Sequence, residues 1–297
     1  ATLKDDLWEK FQELGQRLIE QESWEINRFC ADAVKWTDRG GKSKAGWTWG
    51  EYGPTLCGAL LEIKYFMNGV ELRRKYEGWT EDKAAEITEL TPDEAYRRCI
   101  VGTVALAELY GDHCQLMEVI EKVKTDIGGT VDAKLKNHLN SGTKKLEEQL
   151  NKCEGKIDLP ALMFGKALLH GKIKQWTKEE REKGNGGAWK LGQQWEGKWK
   201  PRCVRGKRTP VQIEEARKRS LQNNKESLMK FSGMKEDVNG ERPGSVPIAD
   251  ILADTDGKFT IEEEKLGSVL QSSLQGNGKI DVSSLTKKIK DATEEKL

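Results

Sequence analysis

Six cysteines, Cys30, Cys57, Cys99, Cys114, Cys153 and Cys203, carry most of the chemical potential of this chain. No Cys-x-x-Cys pair occurs, so neither a zinc ribbon nor a thioredoxin-type redox motif is supported. An even number of widely spaced cysteines beside ten tryptophans fits a disulfide-stapled domain of an oxidising, extracellular compartment. Sequence leaves most pairings open, but geometry removes one. On an unbroken helix Cys99 and Cys114 lie ~22 Å apart at 1.5 Å per residue, too far to bond. If the first two long helices run antiparallel, Cys30 near the end of one meets Cys57 near the start of the next, and that is the pair we expect.

Other constellations carry less. His113 and Cys114 are neighbours, but adjacent residues on a helix point apart, so they do not form a catalytic dyad. His138 and His170 are too scattered to complete a metal cluster. Residues 252–263 match a calcium loop at Asp254, Asp256, Gly257 and Glu263, yet Leu252 stands where the first ligand must be an acid. The related register at 273–284 ends on Ser284 in place of the bidentate Glu. Turn and capping chemistry accounts for both stretches, so no metal site is expected. No phosphate loop, nucleotide fingerprint, nucleophile elbow or paired-carboxylate motif occurs, and we expect no catalytic residues, no cofactor and no enzyme.

Binding is the remaining class of chemistry. The stretch GNGGAWKLGQQWEGKWKPRCVRGKR, residues 184–208, holds six Gly, three Trp and seven Lys or Arg against one Glu. Trp189, Trp195 and Trp199, with Trp47 and Trp49 from an earlier Gly-rich loop, offer flat faces for a sugar or a protein. Lys190, Lys198, Lys200, Arg202, Arg205, Lys207 and Arg208 add anion contacts, a mixture suited to sulphated or sialylated glycans. The competing reading is that these indoles pack the loops back onto the core, since exposed Trp works against solubility. Single-stranded nucleic acid also uses aromatic and basic grooves, but an exported, disulfide-bearing chain would rarely meet it.

The elements that must position these residues read as helices. Apolar residues recur at helical spacing from Leu3 to Val34, with a break near Gln21. DRGGKSKAGWTWGEYG, residues 38–53, is a loop, and Pro54 then opens a helix running from Leu56 to Tyr76. Thr91-Pro92-Asp93-Glu94 signals a helix start, with Thr91 as N-cap and Glu94 closing a capping box. The following run, CIVGTVALAELY, is apolar nearly all round and predicts the most buried helix. Gly111-Asp112-His113 kinks it before Leu116, Val119, Ile120 and Val123 resume the pattern. Further helices are expected over 131–152, from Leu159 to about Lys178 behind an Asp158 cap, and over 211–232. No segment alternates with strand period. The fold class is therefore all-α: a disulfide-stapled helical bundle with long amphipathic helices and Gly/Trp-rich loops, followed by a more polar helical C-terminal part. We divide it into a bundle over 1–182, a Gly/Trp/basic loop or boundary over 183–210, and a polar helical region over 211–297.

Composition bounds the partners. With 50 Lys and Arg against 49 Asp and Glu, no global charge draws the 297-residue chain to nucleic acid or an anionic membrane. No apolar run approaches the ~18 residues of a membrane span. The start, ATLKDDLWEKFQEL, lacks the layout of a signal peptide and reads as a mature or trimmed end.

The segment PDEAYRRCIVGTVALAELYGDHCQLMEVIEKV, residues 92–123, resembles the extracellular domains of the schizont-infected-cell agglutination (SICA) variant antigens of malaria parasites. The RCIVG and YGDHC elements, with Cys99 and Cys114, carry the likeness. It implies a non-enzymatic ectodomain module with paired cysteines, displayed on infected red cells and serving antigenic variation, immune evasion or adhesion. Host cell-surface proteins or glycans and antibodies would be its partners, with membrane attachment only through an anchor outside this chain. It names no binding residues. The alternative from the residues alone is an intracellular helical scaffold whose basic, Trp-rich segment docks a partner.

Overall fold

The computed structural model describes residues 3–20, 26, 30, 53–72, 85–124, 151–157, 159–183, 203–204 and 209–234. The elements are α1 (Leu3–Glu20), α2 (Gly53–Met67), β1 (Val70–Leu72), β2 (Ala85–Ile87), α3 (Pro92–Tyr110), α4 (116–124), α5 (Leu159–Lys183) and α6 (Pro210–Ser232). The class is all-α, as the periodicity predicts. Among the described residues the one addition is a two-stranded antiparallel ladder pairing Val70 with Ile87 and Leu72 with Ala85, too short to leave an alternating pattern in the sequence. Among the described residues no helix is long and apolar enough to cross a membrane.

α3 is the centre, packed by α1, α2, α5 and α6. Its buried residues run almost without interruption from Ala95 to Tyr110, which is why its sequence is apolar on nearly every face. α1 buries one stripe, Leu7, Phe11, Leu14 and Leu18, at the three- and four-residue spacing of an amphipathic helix. Helices approach closely where glycine removes a side chain. A Cβ on Gly102 would collide with Met67 of α2, and one on Gly165 of α5 with Ile100 of α3.

Two helix ends and one capping contact differ from the expected ones. α2 stops at Met67 and does not reach Tyr76, because Asn68-Gly69 ends it. Gly69 takes φ 69°, and its N–H closes on the Phe66 carbonyl at 3.2 Å. The Asn68 side chain donates to the Lys64 carbonyl at 2.7 Å and accepts the Lys152 N–H at 3.0 Å. At the start of α3, Thr91 caps the Glu94 N–H as expected, but Glu94 does not close the box. Its carboxylate pairs with Lys10 at 2.9 Å and Arg98 at 2.8 Å instead, since charged partners on α1 and α3 outcompete a neutral backbone N–H. Finally, α5 continues to Lys183. The reciprocal capping box is found elsewhere, at Thr209 and Gln212 opening α6. Expected features at 21–25, 38–52, 131–150 and 235–297 lie outside the described residues.

α6 shares the core of the preceding helices. Ala216, Leu221, Leu228, Phe231 and Met234 join the same buried cluster as Leu7, Leu60 and Val104. Gly233, left-handed at φ 70°, ends α6 with its carbonyl accepting the Gly155 N–H at 2.8 Å. A Cβ there would be strained and would press on the backbone of Cys153 and Glu154.

Candidate functional site

All six cysteines are paired: Cys30–Cys57, Cys99–Cys153 and Cys114–Cys203. The first is the pair expected from antiparallel helices. Cys99 and Cys114 bond to different partners, consistent with their separation along the chain. Cys99–Cys153 fastens the middle of α3 to the turn at 151–157. That turn meets Asn68 and Gly233 as well, so one short segment joins the ends of α2 and α6.

The densest arrangement is the corner Tyr110-Gly111-Asp112-His113-Cys114, where the sequence anticipates a kink. The helix breaks there completely, and α4 begins at 116. Asn224 of α6 is buried against the corner. Its Nδ2 donates to the Gly111 carbonyl at 2.8 Å and the His113 carbonyl at 2.7 Å, while its Oδ1 accepts the Met117 N–H at 3.3 Å. One amide thus serves two carbonyls of the corner that follows α3 and a first N–H of α4, a group that a helix start leaves without an intrahelical partner. Asp112 pairs with Arg217 of α6 at 3.1 Å, and Leu221 lies where a Gly111 side chain would point. Cys114 completes the seat by its bond to Cys203.

His113, Cys114 and Cys203 place one ring nitrogen and two sulfurs within 4.8 Å of one another. The disulfide uses both thiolates a soft metal would need, so the oxidised trio is not a ligand set. The sequence argument that His113 and Cys114 point apart fails here because the corner is not helical.

Two charged clusters brace the helices. Arg98 lies 4.8 Å over the Phe66 ring and reaches Glu94 at 2.8 Å and Glu13 at 3.0 Å. Arg17 lies 5.5 Å from the same ring and also pairs with Glu13. Burial opposes the charge on Glu94, but hydrogen bonds from Lys10 and Arg98 hold its carboxyl below the usual range. Between α3 and α5, Glu108 has one oxygen 3.1 Å from Lys166 and the other 2.9 Å from His170. That hydrogen bond raises His170 above the ordinary imidazole range. With both Glu108 oxygens engaged, the cluster is a clamp between helices.

Two buried groups on α2 are also shifted. Burial pushes Glu62 of α2 up to about 7 despite the attraction of Arg17. Burial lowers Lys64, with Glu154 pulling the other way. Lys64 donates to the Phe231 carbonyl at 3.2 Å and lies 5.5 Å from the Phe231 ring, capping the end of α6.

The proposed binding residues Trp189, Trp195, Trp199, Lys198, Lys200 and Arg202 lie outside the described residues, as do the calcium-like stretches. Cys203, next in sequence to Arg202, is described and is bonded to Cys114. Sequence reasoning missed Asn68, Arg98, Asn224 and Lys64. Only Asn68 carried a readable signal, the Asn-Gly pair that ends helices.

Residues 1–176 match the family model described as the SICA extracellular alpha domain. Neither a curated protein nor a solved structure matches the chain. The matched span takes in α1 to α4, most of α5 and five of the six cysteines, so the chain belongs to the SICA extracellular alpha domain family, the extracellular part of a variant surface antigen.

Proposed function

We propose that the chain is a display module of a variant antigen on the infected red-cell surface, serving antigenic variation and immune evasion. In this reading the stapled bundle is the scaffold, and the loops carry sequence change at small folding cost. The family match over 1–176 carries the reading. The chemistry of the motif residues supports it. Arg98, Cys99, Gly102, Asp112 and Cys114 are all engaged in holding helices together, which leaves recognition to segments outside the bundle core.

The segment over 183–210 is the proposed adhesive part, with Trp189, Trp195 and Trp199 stacking on a host glycan or protein and Lys198, Lys200 and Arg202 meeting its anionic groups. Three disulfides favour this over an intracellular scaffold, where thiols are kept reduced. The test is binding of the native chain to arrayed sulphated and sialylated glycans and to red-cell surface proteins. Reversing Lys198, Lys200 and Arg202 to Glu is expected to weaken the signal about tenfold or more, the equivalent of ~1.4 kcal/mol. Unchanged binding removes the segment as the site. Serum antibody recognition without host binding leaves display as the whole function.

A further inference from the structure

Two of the three disulfides are sealed in the core, with Cys57 and Cys99 at 0%, Cys30 at 1% and Cys153 at 2% exposure. The third differs: Cys114 is exposed and Cys203 half-buried. It also has polar company. The Cys114 N–H donates to Cys203 Sγ at 3.4 Å, and a His113 ring nitrogen lies within 4.8 Å of both sulfurs.

We propose that Cys114–Cys203 is a thiol–disulfide exchange site, attacked at Cys114 by a thiol of low molecular weight. The geometry sets the direction. Exchange favours attack on the accessible sulfur and departure of the sulfur better stabilised as thiolate. Cys114 is the accessible one, and Cys203 is the one that receives an N–H donor, which favours its anionic form. The incoming thiolate bonds to Cys114 Sγ, the bond between Cys114 and Cys203 breaks, and its electron pair leaves on Cys203 Sγ, which then takes a proton from solvent. A second thiol attacks the mixed disulfide. The products are the oxidised thiol dimer and a free Cys114 thiol, so two thiols are oxidised as one protein disulfide is reduced.

The consequence is local. Cys114 and Cys203 are 89 residues apart in sequence, and cutting their bond unties the basic, Trp-rich segment next to Cys203 from the corner. α6 keeps its contacts through Asn224, Arg217 and Lys64, and the two sealed disulfides keep the bundle closed. Reduction therefore releases Cys203 from the corner while the scaffold stays folded. This inference concerns the bond itself and stands whether or not the segment binds a host molecule.

The native chain is treated with graded reduced glutathione, quenched in acid, alkylated and mapped by peptide mass. Cys114 and Cys203 are expected to label about tenfold faster or more than the other four, with the glutathione adduct on Cys114. Release of all six together, or an adduct on Cys203, overturns the proposal. Circular dichroism of the two-thiol form is expected to retain the native helix signal. Loss of that signal on selective reduction also overturns it. Cys203→Ser provides an independent check: its Cys114 is expected to form the mixed disulfide with oxidised glutathione, and a Cys114 inert to it counts against the assigned point of attack.

Discussion

Asn224 shows how much a single polar side chain can decide. Its amide serves two carbonyls and one N–H at a helix break. Replacing it with a similar-sized apolar residue takes that partner from the Gly111 carbonyl and the Met117 N–H, while the His113 carbonyl keeps the Leu116 N–H at 3.0 Å; the penalty is ~1–3 kcal/mol for each unsatisfied group. Asn224→Leu is expected to cost about 3 kcal/mol, read as a lower guanidinium midpoint at unchanged slope. Glu62 gives a second prediction, on pH. Its carboxyl is raised from 4.5 to about 7 in the folded chain, so the folded state holds the proton more tightly than the unfolded one. Its stabilising contribution is fully present below pH ~4.5 and is lost as pH rises through about 7. Glu62→Gln should remove that dependence and leave the variant more stable than wild type at pH 8, by about 3 kcal/mol at most. Equal pH profiles of unfolding for the two proteins would refute it. Neither residue was legible in the sequence, where Asn224 is one polar residue in a charged helix and Glu62 one acid among many.

At the scale of elements, helix approach is set by where glycine sits. Gly165 and Gly171 lie on the same helix, α5, yet a Cβ at Gly165 meets Ile100 and Val104, while one at Gly171 meets nothing within 4 Å. Gly165→Ala should push α5 from α3 and cost about 1–3 kcal/mol. Gly171→Ala should stabilise by about 0.5–1 kcal/mol, because alanine loses less backbone freedom on folding. Thermal unfolding of the pair checks both signs. Helix existence was legible, since burial on one face imposes the spacing seen in Leu7, Phe11, Leu14 and Leu18. Helix ends were less so. The start of α3 follows from Thr91 and Pro92, whereas the fate of Glu94 depends on Lys10 from another helix. The strands were invisible because three residues are too few to establish a period.

For the whole molecule, the disulfides knit distant parts of the chain. Cys99–Cys153 spans 54 residues, and loop-closure entropy assigns such a link about 4 kcal/mol. The double variant Cys99→Ala/Cys153→Ala should lose about that much stability in denaturant unfolding while retaining helix content at low temperature. A loss below ~1 kcal/mol would show that packing around α3, not the crosslink, holds the turn at 151–157. Legible in the residues alone were the helical class, the buried character of α3 and the family likeness in RCIVG and YGDHC, with an even cysteine count that favoured, without fixing, an oxidising compartment. These follow from short-range quantities: periodicity, capping residues, cysteine number and local motif. The tertiary structure alone decided that Cys99 pairs with Cys153 and Cys114 with Cys203, that the YGDHC corner seats α6, and that one disulfide stays exposed while two are buried. Pairing and burial depend on which helices meet in space. Segments tens of residues apart settle that together through packing and shared hydrogen bonds, and no local pattern encodes it.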